Sequence, residues 1–394
     1  MASLDEQLRR SFVAASDFVQ APPGLADRAR RASRRRRRRA RVAAAACGLI
    51  LVAAGASFVA VGQHQVAPAG SRYDGRVPRP GLAGMASVDQ LAAHGRYVYA
   101  LSSPPDRLSA FDRATGKRIR QVSVPDVPLV LAVGPGGRVW LSFGQDATGS
   151  GPQGTWLLSP DLRLRSTAPA AVDNLVPTGL TTAQAVTPRG AVKIQMPSPG
   201  QPGSATQTQI PGTGIGRGAI VIWWADRLSG RMAADVNIGG PNNDELDHLV
   251  IVGRPAIQFG GGTRFAIQSV ASTGAALWAI TSRYGRGAPL GWGPLIRLDG
   301  ELRVTTPQSI RSSAILAEAT QVWSTGSSVW VATAVTRRWL ACFTASGQPG
   351  PIIPVSVGGQ IAALAVSGDA VYVSMMRPHA SDVVRSYRIP AACR

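Results

Sequence analysis

Histidine is scarce in this 394-residue chain, and lysine is nearly absent, standing only at Lys117 and Lys193. The four histidines, His64, His94, His248 and His379, fall in no metal-ligand spacing, so zinc hydrolysis of the H-E-x-x-H kind has no support. A G-x-S-x-G nucleophile elbow and a phosphate-binding P-loop are also missing. Charged residues make up only 16% of the chain, and 44 Gly with 29 Pro follow no collagen or low-complexity period. That leaves a composition suited to many short strands joined by turns. Basic residues are almost all arginine, which with the abundant Ala, Gly and Pro points to a high-GC bacterial genome.

The net charge of +20 invites a nucleic-acid reading until its distribution is considered. Residues 1–41 hold twelve arginines against Asp5, Glu6, Asp17 and Asp27, and Arg34 to Arg39 are consecutive. The rest is spread over turns without interleaved stacking aromatics, so no nucleic-acid partner is expected.

An apolar run directly after the arginine cluster accounts for it. Residues 42–62, VAAAACGLILVAAGASFVAVG, carry no charge and no proline, and as a helix would span about 31 Å, close to a hydrocarbon core of about 30 Å. With the arginines on one side only, the positive-inside bias keeps residues 1–41 in the cytoplasm and sends the remainder across the membrane. The competing reading is a signal peptide cleaved after Ala69, but the basic region ahead of the apolar run is long for one. Within the tail, Ser3-Leu4-Asp5-Glu6 has capping-box spacing and Leu4, Leu8, Phe12, Ala15 and Val19 share a helical face that ends at Pro22-Pro23. Such a short amphipathic helix fits a cytoplasmic partner or the inner leaflet.

Residues 63–86, rich in Pro, Gly and Ala, read as a linker, and residues 87–394 as an all-β domain. A glycine turn leading into an apolar-aromatic strand recurs as GRYVYAL from Gly95, GRVWLSF from Gly137, GAVKIQM from Gly190, GAALWAI from Gly274, GSSVWVA from Gly326 and GDAVYVS from Gly368. The shorter intervals match a four-stranded propeller blade. Stacking blades around an axis also solves a physical problem, because one small twisted sheet cannot cover both its faces. The predicted fold is a β-propeller of six four-stranded blades with an insertion near 239–262, seven blades being the alternative, after one N-terminal transmembrane helix. The tryptophans are assigned to packing between blades. A D-R-x-[ST]-G-[KR] turn, at Asp112 to Lys117 and again at Asp226 to Arg231, is expected to join the two outer strands of a blade.

The stretch RLSAFDRATGKRIRQVSVPDVPLVLAVGPGGRVWLSF resembles the YVTN, quinoprotein-like and virginiamycin-lyase-like propeller superfamilies. Ala110 to Lys117 is similar to the tryptophan-docking motif of quinoprotein dehydrogenases, with Arg120 where that motif has Trp and Ala234 there in the second copy, so no bound quinone or other cofactor is expected.

Outside these repeats the most chemical-looking cluster is Asn242 to His248, in which Asp244, Asp247 and His248 are candidate metal ligands, though not at EF-hand spacing. Cys342 and Cys393 both come after the apolar run, where a disulfide between them would persist. The resulting expectation is a single-pass plasma-membrane protein held in the bilayer by residues 42–62, whose extracytoplasmic propeller binds a ligand or protein as a sensor or scaffold of the cell envelope. The alternative is a propeller-type hydrolase or lyase, lactonase-like, acting outside the membrane.

Overall fold

In the computed structural model, residues 79–82 and, with breaks at loops, residues 88–394 are described. The tail at 1–41 and the apolar run at 42–62 lie outside the described residues, and among those described no helix is long and apolar enough to cross a membrane.

Apolar alternation from Val88 onward produces short antiparallel strands, which group into seven separate sheets. Blade 1 shows the plan: Val88–His94, Tyr97–Ser102, Arg107–Asp112 and Arg118–Ser123 pair in chain order. Blade 2 spans 127–168, blade 3 176–209, blade 4 219–251, blade 5 265–298, blade 6 319–354 and blade 7 360–388. Blades 4 and 5 have three strands each among the described residues. The first strands pack side by side around the axis, from blade 7 through blades 1 to 6. Connections between first and second strands, and between third and fourth, mostly tight turns, share one face of the disc, the turn face. Connections from second to third strands and from blade to blade share the opposite loop face.

Blade 7 takes its outermost strand from the other end of the chain. Arg79–Leu82 pairs antiparallel with Val383–Arg388, placing Arg79 opposite Ser386 and Leu82 opposite Val384. The stretch 63–86 therefore includes a strand of the propeller as well as connecting chain. Its sequence, Arg-Pro-Gly-Leu, hid this, since proline tolerates an edge strand where its missing N–H is not needed.

The count of seven blades corrects the six favoured by the sequence. The turns between first and second strands contain Gly95, Gly137, Gly179, Gly230, Gly274, Gly326 and Gly368, one per blade and 42 to 52 residues apart. Gly190 instead starts the third strand of blade 3, Gly190–Gln195, on the loop face. Residues 219–251, matched by sequence to the outer half of the third blade and to an insertion, are blade 4 in its own right. Its Asp226 to Arg231 turn joins first and second strands, whereas the similar Asp112 to Lys117 turn of blade 1 joins third and fourth.

Seven clusters of buried side chains fill the seven seams, which closes the ring. Tyr99, Trp140, Trp278, Trp330 and Tyr372, all on second strands and essentially buried, each pack against the following blade. The small residues Ala92, Ala132, Ala271 and Ala365 stand opposite four of them and make room for the rings. Polar side chains pin the seams as well. Gln90 donates to the Leu129 carbonyl and accepts from the Leu131 N–H, extending blade 1's backbone pattern into blade 2 at 3.0 and 2.8 Å. Ser269 makes the same kind of double contact with Val322 between blades 5 and 6.

Candidate functional site

Most of the loops on the loop face are longer than the turns opposite, and among the described residues two hairpins there are paired further than the rest. In blade 5, Leu277–Gly285 pairs with Ala288–Leu298 as far as Gly285 opposite Ala288, while the second strands of blades 1, 2 and 6 have six residues. Three extra residues carry such a hairpin about 10 Å further. Blade 4 behaves alike: Arg231–Gly239 pairs with Glu245–Ile251, ending with Gly239 opposite Glu245. These two neighbouring hairpins extend the rim of the disc, and binding surfaces form where a rigid scaffold displays such segments.

The blade 4 hairpin contains the acidic cluster singled out from the sequence. Asp244 lies outside the described residues; Asp247 stands opposite Asn237 and His248 opposite Val236 on the third strand. Among the described residues no group of three His, Cys, Asp or Glu is placed to hold a metal ion.

Beneath this hairpin are two carboxylates that the sequence did not single out. Trp224, paired with Asp235, and Ala233, paired with Asp226, both belong to the seam between blades 4 and 5. Asp226 and Asp235 therefore face that seam too. Asp235 is fully buried. Burial raises the Asp226 carboxyl to about 6, against the opposing effects of the Arg227 N–H, which donates to it at 2.7 Å, and of the Arg227 charge. The available signal was the alternation Trp224, Asp226, Leu228, which put an acid at an inward position of an otherwise apolar strand.

Cys342 and Cys393 are joined by a disulfide with a Cα–Cα distance of 6.2 Å, which ties the C-terminus to the third strand of blade 6. Both sulfurs press on Gly350, where any Cβ would collide with them. The glycine is required there by space.

No protein-family model matches the chain, and no curated protein matches it by sequence. Solved structures do match. It is a β-propeller of seven blades. The WD40 domain of Pan2 from Neurospora crassa is similar over 78% of this chain and 91% of its own, with a TM-score of 0.52 at 9% identity. The β-propeller domain of Cps50 (Swd1) from Myceliophteria thermophila covers 80% of this chain and 99% of its own, with a TM-score of 0.49 at 9% identity. At such identity the Pan2 likeness concerns the fold alone.

Proposed function

We propose that this chain is a single-pass membrane protein whose extracytoplasmic propeller binds a protein or other ligand through its loop face, as a sensor or scaffold of the cell envelope. The paired projecting hairpins of blades 4 and 5 carry this reading, since propeller closure alone does not call for them. In sequence, the stretches around these hairpin ends hold Asn242, Asn243, Asp244 and Glu245 in one and Arg283, Tyr284 and Arg286 in the other, residue types suited to a polar, partly aromatic contact. Two observations support the compartment. A disulfide such as Cys342–Cys393 persists in an oxidising environment. The one-sided arginine cluster before residues 42–62 favours a cytoplasmic tail. A photo-crosslinker placed at Tyr284 should form one discrete adduct in intact cells, while the same group at Thr115 on the turn face should not. Identical products from both positions, or none from Tyr284, would refute the loop-face assignment.

One observation favours the enzymatic alternative, a hydrolase or lyase acting on lactones or esters. A half-buried carboxyl raised to about 6 is suited to general acid/base work near neutral pH. Hydrolysis of a lactone and ester panel that disappears in Asp226→Asn would establish it; an inactive wild-type chain would leave the binding reading.

A further inference from the structure

The large hydrophobic side chains exposed among the described residues are Ile119, Leu164, Leu180 and Val304, and all four sit at the turn-face end of their blades. Ile119 and Leu164 lie in the first two residues of the fourth strands of blades 1 and 2, just beyond the turns that lead into them. Leu180, 56% exposed, occupies the first turn of blade 3 and lies over Gly136 in the matching turn of blade 2. Val304 stands apart, after the Asp299–Arg303 turn of blade 5. Single exposed leucines are ordinary; these four, among the described residues, share one end of the disc.

The same arc is strongly basic. Arg96, Arg113, Lys117, Arg118, Arg138 and Arg163 occupy or flank the turns of blades 1 and 2. Two of these cations are matched by acids of the same turns, Arg96 by Asp112 at 2.5 Å and Arg163 by Asp161 at 2.8 Å, so the excess charge rests on Arg113, Lys117, Arg118 and Arg138. Cations interleaved with exposed aliphatic side chains match an anionic lipid interface, where charges meet phosphates and aliphatic groups enter the headgroup layer.

Chain direction adds an independent constraint. Val383–Arg388 runs toward the turn face, so its antiparallel partner Arg79–Leu82 runs away from it, and the chain enters the propeller from the turn-face side. Sixteen residues, 63–78, separate this strand from the apolar run, a reach of at most about 55 Å.

We propose that the turn face of blades 1 to 3 docks on anionic phospholipid headgroups of the bilayer that residues 42–62 enter. This rests on the membrane anchoring proposed above. Docking through this face turns the loop face and its two hairpins away from the membrane, toward a partner.

The test is amide hydrogen exchange on the full chain in lipid nanodiscs of phosphatidylcholine alone or mixed with phosphatidylglycerol. Amides within 113–119, 160–164 and 178–182 should exchange several-fold more slowly in the anionic discs. High salt and the combined variant Lys117→Glu, Arg118→Glu, Arg138→Glu should abolish that protection, and Leu180→Ser should weaken it at low salt. Equal exchange in both lipids would overturn the proposal. Equal protection by soluble polyphosphate in phosphatidylcholine discs, indifferent to Leu180→Ser, would also overturn it and reassign the patch to a soluble polyanion. Alkaline carbonate extraction of cell membranes tests the anchor separately. If the chain is extracted, docking still requires that it float with phosphatidylglycerol vesicles at low salt, and failure to float would overturn it.

Discussion

Trp140, Trp278 and Trp330 occupy corresponding places in blades 2, 5 and 6, each filling the seam to the next blade. Trp278→Ala should therefore destabilise the propeller by about 3–5 kcal/mol, the usual cost of emptying a buried aromatic site, measured by denaturant unfolding. The Trp330 indole N–H donates to Ser328 at 3.1 Å, whereas in blades 1 and 7 a tyrosine hydroxyl reaches further. Tyr99 donates to the Pro160 carbonyl and Tyr372 to the Arg113 carbonyl, each on the following blade's third turn. Residue choice at this position thus decides whether the ring itself adds a hydrogen bond across its seam.

Asp226 and Asp112 show opposite electrostatics. The folded-state value of about 6 for Asp226 lies above the ordinary aspartate value, so its contribution to stability is fully present below about pH 4 and is lost as pH rises through 6. Asp226→Asn should raise stability at pH 7.5 by about 1–3 kcal/mol and leave little difference at pH 4, as thermal unfolding at both pH values would show. Asp112, hydrogen-bonded first of all by Arg96 and then by the Thr115 N–H, is lowered to about 2. Its contribution is present above about pH 4 and disappears as pH falls through 2.

At the scale of strands and turns, the disulfide is the strongest local constraint on the C-terminus. Replacing Cys342 and Cys393 together by serine should cost about 2–4 kcal/mol and release the segment after Ile389 to limited proteolysis. Gly350→Ala should produce a similar loss in oxidised protein but a smaller one after reduction, because the sulfurs can then separate.

Blades 1, 2, 5, 6 and 7 were legible in the sequence because a glycine turn and a buried aromatic marked each of them. Blades 3 and 4 follow the same path, but their second strands, TAQAVT and RMAADVNIG, carry no aromatic. The repeat pattern accordingly falls on Gly190, one turn too late, and merges blade 4 with its neighbour. The D-R-x-[ST]-G-[KR] motif misled for a related reason: it specifies a tight turn, and a tight turn suits either position on the turn face. Of the candidate site, the acidic cluster was visible as composition, while Asp226 and Asp235 became apparent only once strand pairing set which residues share a face.

For the molecule as a whole, ring closure depends on four residues near the N-terminal end. Leu82 is 5% exposed within the seam that joins blades 7 and 1, so Leu82→Ala should cost about 2–5 kcal/mol, measurable by urea unfolding of the full chain. Deleting residues 79–82 should leave Val383–Arg388 as an open edge strand and drive the chain to self-associate, which sedimentation would detect.

Division of the chain between two compartments is central to the proposed function, and protease added to sealed spheroplasts tests it most directly. With residues 1–41 inside and the propeller outside, the C-terminal epitope should be lost from sealed spheroplasts while an N-terminal epitope survives in a short membrane-bound fragment. Survival of the C-terminal epitope until the membrane is lysed would contradict the account.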